Sequence, residues 1–222
     1  LSGWAGLHGA GEDRAAFGVR NERPGGPNQS KRGRNGFDYD GWYVGANASY
    51  KPTERRRFNG ALGVDTFDYR FNERLNWTSD ATPNALRTTA NRTVTDNSFA
   101  TFEVQQDGAR PRALAKGSLT VRRSEKAFSS EFYELYDGAV TPNRYRTTQR
   151  SETNAFNAEF DAERPQDNDR FLTWGLAFDA GSQTSQNALT LLAGSGPAPY
   201  VATVEGEERT VAGYVTYQFE TG

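Results

Sequence analysis

Three short polar turns recur along the chain, and their regular spacing limits the possible folds more than any other feature. They span residues 51–56, 106–111 and 164–169. Each turn lies between two segments in which apolar and polar side chains alternate, which is the side-chain period of a β-strand. The segments that join one pair to the next are longer and polar, around residues 72–95, 123–150 and 181–208. Tight turns on one membrane face and long loops on the other are typical of a transmembrane β-barrel.

The alternation predicts about eight strands, each near ten residues long, the length that a tilted strand needs to cross a membrane. The clearest pair flanks the third turn, over residues 156–163 and 172–179. Between residues 58 and 71 the apolar row changes phase near Asp65 and Thr66, which predicts a β-bulge at that point. We predict an all-β fold, an antiparallel transmembrane β-barrel whose visible strands form either a complete barrel or part of a larger one.

We predict one barrel unit or barrel fragment over residues 1–222. Residues 1–40 are expected to form a less regular N-terminal strand and a basic loop, and residues 41–219 regular hairpins. The chain starts without a charged and apolar export signal, so we expect a mature chain, an excised piece or a partial one.

Composition agrees with a barrel and excludes several other classes. Hydrophobic residues make up 35% of the chain and the mean hydropathy is −0.81, which is low for a domain that must fill a thick core. Half of each barrel strand faces a polar interior, so a barrel escapes that demand. No apolar run approaches the length of a membrane-spanning helix. A net charge of −2 gives no electrostatic footprint for nucleic acid.

Aromatic side chains gather near the predicted strand ends, where rings at a membrane interface lie at the level of the lipid headgroups. The alternative is that they are ordinary half-buried sheet aromatics. The candidate interface residues are Trp42, Tyr50, Phe58, Phe67, Tyr69, Phe71, Trp174, Phe178, Tyr217 and Phe219.

Several strand–turn–strand segments resemble the barrel of TonB-dependent outer-membrane receptors. The resemblance lies in residues 145–150 (YRTTQR), 156–160 (FNAEF), 169–176 (DRFLTWGL) and 208–215 (ERTVAGYV), and in the early strand at 38–52. It implies a bacterial outer-membrane location and uptake of a ligand through long extracellular loops. It also implies a lipid bilayer with lipopolysaccharide around the barrel, and a TonB-type energising partner or a further chain that completes the barrel. The globular plug of that family, its TonB-box segment and a C-terminal aromatic are not visible.

Signals for enzymatic chemistry are poor, and we expect no catalytic activity, cofactor or metal. His8, the single histidine, lies in a glycine-rich stretch that is typical of a turn. The run Asp38-Tyr39-Asp40-Gly41 resembles the opening of a calcium loop, but the rest of the ligand set is missing and a turn at the entry to a strand is the simpler interpretation. The absence of cysteine removes thiol catalysis and cysteine-ligated zinc.

A basic cluster precedes the first regular strand and is the candidate ligand site. Its members include Arg23, Lys31, Arg32 and Arg34. Guanidinium groups bind phosphate through paired hydrogen bonds, so the cluster could bind lipopolysaccharide phosphates or an anionic ligand; a solvated loop is the alternative. The leading functional hypothesis is an outer-membrane barrel of a TonB-dependent-type transporter. Two others stay open, a small self-contained barrel with a structural, adhesive or porin-like role, and a soluble β-rich binding module.

Overall fold

The computed structural model describes residues 1–21, 28–79, 83–110, 113–166 and 170–218, with the backbone alone at residues 8, 12–21, 28–31 and 79. These residues form eight strands: β1 (Ser2–Asn21), β2 (Asn28–Thr53), β3 (Arg56–Ser79), β4 (Ala85–Asp107), β5 (Leu114–Tyr136), β6 (Asn143–Pro165), β7 (Phe171–Ala193) and β8 (Tyr200–Gln218). None of the described residues forms a helix long and apolar enough to cross a membrane.

All eight strands belong to one antiparallel sheet in which each strand pairs with its neighbours in sequence, from β1 to β8. The predicted all-β antiparallel architecture is therefore confirmed. Within the described residues the ladder runs from β1 at one edge to β8 at the other, and the recorded pairings do not join these two edges.

Because each strand pairs in antiparallel fashion with the next one in sequence, successive connections lie at opposite ends of the sheet. The strands β2, β4 and β6 end, and β3, β5 and β7 begin, at what we call the near end; β3, β5 and β7 end, and β4, β6 and β8 begin, at the far end. The three predicted short turns thus share one end of the sheet. At the far end, Gly138 and Gly194 adopt positive φ values of 81° and 71°, a conformation that glycine tolerates without strain.

The prediction of long loops at 72–95, 123–150 and 181–208 is wrong. Most of these residues continue the strands, which are 19 to 26 residues long where about ten were expected. The reason is that ladder hydrogen bonds use the backbone alone, so a strand persists where apolar and polar side chains no longer alternate. Cross-strand polar pairs replace apolar ones there, as with Arg144 Nε, which donates to Glu131 Oε1 at 2.7 Å.

The predicted bulge near Asp65 and Thr66 is also absent from the sheet. Both ladders of β3 keep a continuous register there, with Asp65 opposite Tyr43 and Asn97, and Thr66 opposite Trp42 and Asp96. The apolar residues before and after this point therefore lie on opposite faces of the sheet. At the change of phase, the face of β3 that was apolar becomes polar, and the opposite face becomes aromatic.

The N-terminal region is more regular than predicted. Residues 2–21 form a continuous strand paired with β2, and Lys31, Arg32 and Arg34 lie inside β2 and not in a loop. His8 lies opposite Gly41 in the same ladder, so it is in a strand where a turn was expected. Arg23 lies outside the described residues.

The strands are staggered, as they must be in a barrel wall, where tilt and register shear are linked. Successive direct partners of Trp42 form a row that passes through Thr66, Asp96 and further strands to Glu205. Trp42 lies near the middle of β2, whereas Glu205 lies close to the start of β8. The row therefore climbs toward the far end as it crosses the sheet.

A single layer of sheet leaves almost no core. Within the described residues the buried hydrophobic side chains are Leu75, Ala85 and Leu189, and no large side chain is completely buried. Large hydrophobic side chains are instead exposed, for example Leu62 at 60% and Leu176 at 56%. The sheet needs an apolar environment on one of its faces.

The long strands make a direct prediction for proteolysis. Folded protein treated with trypsin should be cut after Arg55, in a turn, and should resist cleavage after Lys126 and Arg150, because these residues are held in ladders on both sides. Mass mapping of the fragments checks this, with unfolded protein as the control in which all three sites are cut. Rapid cleavage of the folded protein after Lys126 or Arg150 would restore the loop model.

Candidate membrane-facing and ligand-facing surfaces

One face of the sheet carries a continuous apolar band near the near end. We call the face that bears Trp42, Leu62 and Leu176 the front face, and the other, which bears Tyr43, Ala61 and Ala177, the back face. From β2 to β6 the band contains directly paired residues on neighbouring strands, such as Val44 with Val64 and Leu119 with Ala158; on β7 and β8 its members pair with glycine or with bordering aromatic residues. Its members are Val44, Ala46, Leu62, Val64, Ala100, Phe102, Leu119, Val121, Ala158, Leu176, Val211 and Val215.

Aromatic rings border this apolar band on both sides. On the near side Tyr50 stacks on Phe58 with ring centroids 6.3 Å apart, and Phe160 lies 5.0 Å from Trp174. On the far side lie Trp42 and the edge-to-face pair Phe156 and Phe178, 5.9 Å apart. On β2 the band with its two borders spans the nine residues from Trp42 to Tyr50, within the 9–11 that a tilted membrane strand needs.

Charge begins directly beyond the far border of the band. On the front face Trp42 is followed by Asp40 and Asp38, Val64 by Thr66 and Asp68, and Val121 by Arg123 and Glu125. A boundary this abrupt is what the edge of a hydrocarbon layer imposes, since an exposed charge inside it is costly.

The back face is polar at the level of the band and its side chains bond to one another. Asn59 Nδ2 donates to Glu103 Oε2 at 3.1 Å, and Lys116 Nζ lies 2.5 Å from Glu103 Oε1. Farther along the sheet the Tyr214 hydroxyl donates to Asp161 Oδ1 at 2.6 Å, and Asn157 Nδ2 donates to Asp179 Oδ1 at 2.7 Å. Such a network suits a wet interior and not a second apolar core.

Glycines let aromatic rings lie close to the backbone on the back face at this level. A Cβ atom built on Gly175 would lie 2.5 Å from the Tyr214 ring and from Asp161 Oδ1, and one on Gly63 would lie 2.6 Å from the Phe99 ring. The rings occupy the space that side chains would need, and they cover backbone that glycine leaves open.

Toward the far end the back face becomes aromatic. Phe37 stacks on Tyr69 at 6.3 Å, Tyr39 lies 5.4 Å from Phe67, and Phe132 stacks on Tyr145 at 4.8 Å. Burial raises the pKa of the Tyr145 hydroxyl, with a further contribution from the Glu134 carboxylate. This aromatic patch is a candidate surface for a ligand that carries flat or apolar groups.

On the front face of the far half, ion pairs take the place of apolar contacts. Asp68 is buried at 7% exposure and is shared by Arg92 at 2.8 Å and Arg70 at 2.7 Å. Hydrogen bonds from Arg92, and then from Arg70, hold the pKa of Asp68 below its usual range, although burial opposes them. In the same way Arg146 and Arg144 lower the pKa of Glu131.

The candidate residues from the sequence divide between the two faces. Of the proposed interface aromatics, Trp42, Tyr50, Phe58, Trp174, Phe178 and Tyr217 lie on the front face at the band. Phe67, Tyr69 and Phe71 lie on the back face, and Phe219 is outside the described residues. The paired residues of neighbouring strands show which face each group lies on.

Of the four basic candidates, the structure describes the side chains of two, Arg32 and Arg34. Arg32 and Arg34 lie on the front face of β2, opposite Asn76 and Arg74, and their side chains are exposed. Only the backbone of Lys31 is described. Asp38 and Asp40, which suggested a calcium loop or a turn, lie inside β2, where they are 3.8 and 3.9 Å from the guanidinium of Arg70.

Sequence analysis missed the arginines of β3 to β6 on the front face, chiefly Arg70, Arg92, Arg146 and Arg150. Arg92, Arg146 and Arg150 lie within the segments interpreted as loops, and Arg70 lies just before the first of these segments, so their common face was hidden. The available signal was the same two-residue period in charged residues, as in Arg144, Arg146 and Arg150.

No protein-family model and no curated protein matches the chain. Among solved structures, the chain is similar to the ferric yersiniabactin uptake receptor FyuA from Yersinia pestis, with a TM-score of 0.42 and 7% identity over 97% of this chain and 43% of that chain. For the ferric citrate transporter FecA in the unliganded form the TM-score is 0.28, with 10% identity over 98% of this chain and 42% of that chain. The chain thus spans less than half the length of both proteins. At these scores the fold assignment rests on strand order and register.

The ion pairs around Asp68 predict a specific dependence of stability on pH. The pKa of Asp68 is lowered in the folded state, so its contribution is complete above the ordinary carboxyl value near ~4 and is lost as the pH falls through the lower, folded value. The melting temperature in detergent, followed by circular dichroism, should therefore stay level from about pH 8 to 5 and fall only below about 4.

The variant Asp68→Asn should melt at a lower temperature than the parent protein at pH 7, and the two curves should converge in strong acid. Asp96→Asn is the matched control, since its front-face carboxylate accepts a hydrogen bond from Thr66 Oγ1 and lies outside the arginine cluster of Asp68. Equal effects of the two substitutions at pH 7 would contradict the assignment.

Proposed function

We propose that this chain forms part of the wall of a bacterial outer-membrane β-barrel, with its front face in contact with lipid and its back face lining the interior. The observation that carries the proposal is the apolar band on the front face, bordered by aromatic rings and ended by charge. A soluble module would need a second layer to cover this band, and the described residues form one layer only.

The polar back face supports the same orientation. Hydrogen-bonded Asn59, Glu103, Lys116, Asp161 and Tyr214 lie directly behind the apolar band. Polar residues inside and apolar residues outside, alternating along each strand, are the pattern of a membrane barrel with a wet interior. A sheet with these faces reversed would place ion pairs in hydrocarbon.

Within this class we propose an uptake barrel of the TonB-dependent type that takes up a ligand and has no catalytic role. Three observations favour it over a small closed barrel. The strands run far beyond the band, the aromatic patch of the back face lies beyond the membrane level, and neither β1 nor β8 has a second partner strand within the described residues. In lipid all backbone groups must be paired, so additional strands would complete the wall beside β1 and β8.

The far ends of the strands would then lie outside the cell, and the near-end turns on the periplasmic side. The aromatic patch formed by Phe37, Tyr39, Phe67, Tyr69 and the pair Phe132 and Tyr145 would face the entrance of the barrel. In this orientation a ligand with flat or apolar groups meets the patch before it reaches the polar interior. An energising partner on the periplasmic side would supply the work of uptake.

A pair of adjacent substitutions tests the membrane orientation. Leu176 lies on the front face within the band, and Ala177 lies on the back face between Glu159 and Ala212. An arginine at a lipid-facing position near the middle of the bilayer costs about 2–4 kcal/mol. Leu176→Arg should lower the free energy of unfolding in lipid vesicles by that order, whereas Ala177→Arg should cost far less because the new guanidinium lies beside Glu159.

Reversible urea unfolding in vesicles, followed by tryptophan fluorescence, measures both changes. In a soluble module the 56% exposed Leu176 would tolerate arginine with little effect. Equal costs at the two positions, or a larger cost at Ala177, would reject the proposed orientation.

The mass of the native polypeptide separates the uptake barrel from the small barrel. The uptake proposal expects the sheet to belong to a polypeptide, or a stable complex, well above the 24.6 kDa of this chain, because the wall requires further strands. Mass spectrometry of the protein extracted from cell envelopes gives this value. A monomeric species of 24.6 kDa that is folded and inserted would favour the small barrel.

A further inference from the structure

Two adjoining grooves cross the front face of β3 to β7 above the apolar band, and both contain Arg92. The first, of about 370 Å³, is lined by small apolar side chains, among them Val94, Ala127 and Ala188, and by Arg92 and Arg150. The second, of about 390 Å³, adds Arg70, Arg146 and Glu131. The hydroxyls of Ser129 and Thr148 line both grooves. We call the two together the arginine groove.

The side chains that line the arginine groove carry more positive than negative charge, although each arginine has a carboxylate beside it. Four arginines and one carboxylate, that of Glu131, line it. The balancing carboxylates lie to the side: Asp68 holds Arg92 at 2.8 Å, while Glu125 lies 4.0 Å from Arg150. Arg150 is 79% exposed and Arg92 57%, so both guanidinium groups retain donors that face solvent.

The position of the groove determines which part of a membrane lipid it can contact. Ala127 lies six residues beyond Val121, the last apolar band residue on β5, which is about 20 Å along a strand and less in height once the strand is tilted. In the proposed orientation this places the groove on the lipid side of the wall, beyond the acyl chains, at the level of headgroup sugars.

We propose that the arginine groove binds the phosphorylated saccharide of the outer-leaflet glycolipid, lipopolysaccharide, with Arg92 and Arg150 on its phosphate groups. Guanidinium groups form short, charge-assisted hydrogen bonds to phosphate oxygens. The hydroxyls of Ser129 and Thr148 and the small apolar side chains suit a sugar ring, which has both polar edges and an apolar face. This inference rests on the proposed outer-membrane orientation, since it needs the front face to meet the glycolipid.

The test uses the purified protein in a zwitterionic detergent, with rough lipopolysaccharide as the probe and the same lipid after chemical dephosphorylation as its control. Native mass spectrometry across a titration gives the bound fraction. We expect the phosphorylated lipid to bind at least about tenfold more tightly than the dephosphorylated one, and Arg150→Gln to remove most of that difference. Arg92→Gln should act in the same direction, with Arg70 left to pair with Asp68.

The matched control is Arg123→Gln. Arg123 lies on the same front face, closer to the band, but it is paired with Glu125 at 2.5 Å and Glu152 at 3.3 Å and lies outside the groove. Its loss should leave the affinity unchanged. An equal loss in Arg123→Gln and Arg150→Gln would show a general charge effect and overturn the site. Complete displacement of the lipid by about 10 mM inorganic phosphate, a concentration that saturates a weak anion site, would overturn the glycolipid assignment in favour of a free anion.

Membrane insertion is measured separately, by heat-dependent migration of the same samples on a denaturing gel. A protein that inserts but does not distinguish the two lipids refutes the arginine groove and leaves the proposed barrel intact. A protein that binds both lipids equally and does not insert refutes both.

Discussion

The structure depends on one constraint, which is that a single antiparallel sheet has no second layer to cover it. Its backbone groups pair through ladders between neighbouring strands, but its side chains have water, lipid or each other as surroundings. Burial therefore cannot supply the stability that a globular core supplies, as the short set of buried hydrophobic residues shows. The front-face apolar band becomes stabilising only where the environment itself is apolar.

The distribution of apolar and polar side chains between the two faces changes along the length of the strands. At the band level the front face is apolar and the back face carries hydrogen-bonded polar groups. Beyond it the character reverses, with Asp68, Arg70 and Arg92 paired on the front face and stacked rings such as Phe132 and Tyr145 on the back. This exchange fits a barrel wall whose front face passes from lipid into water.

Much of the near half could be predicted from residues alone. Alternation of apolar and polar residues, as from Trp42 to Tyr50 and from Phe156 to Ala162, identified strands and their faces, because a half-buried strand repeats every two residues. The short polar segments between such strands identified the three turns. The strands of the far half were not predicted, because the prediction depended on this apolar period. There both faces carry polar or aromatic groups, so the apolar period disappears although the backbone ladder continues. The segments at 72–95, 123–150 and 181–208 were therefore interpreted as loops.

The sequence by itself determined the all-β class, the short turns and the residues of the apolar band, since each of these depends on local composition and a period of two. The tertiary structure decided what lies beside what. Pairing across strands placed Phe67 and Tyr69 on the back face beyond the band, and brought Arg92 of β4 together with Arg146 and Arg150 of β6. Such juxtapositions depend on register between strands far apart in sequence, and register is a property of the assembled sheet.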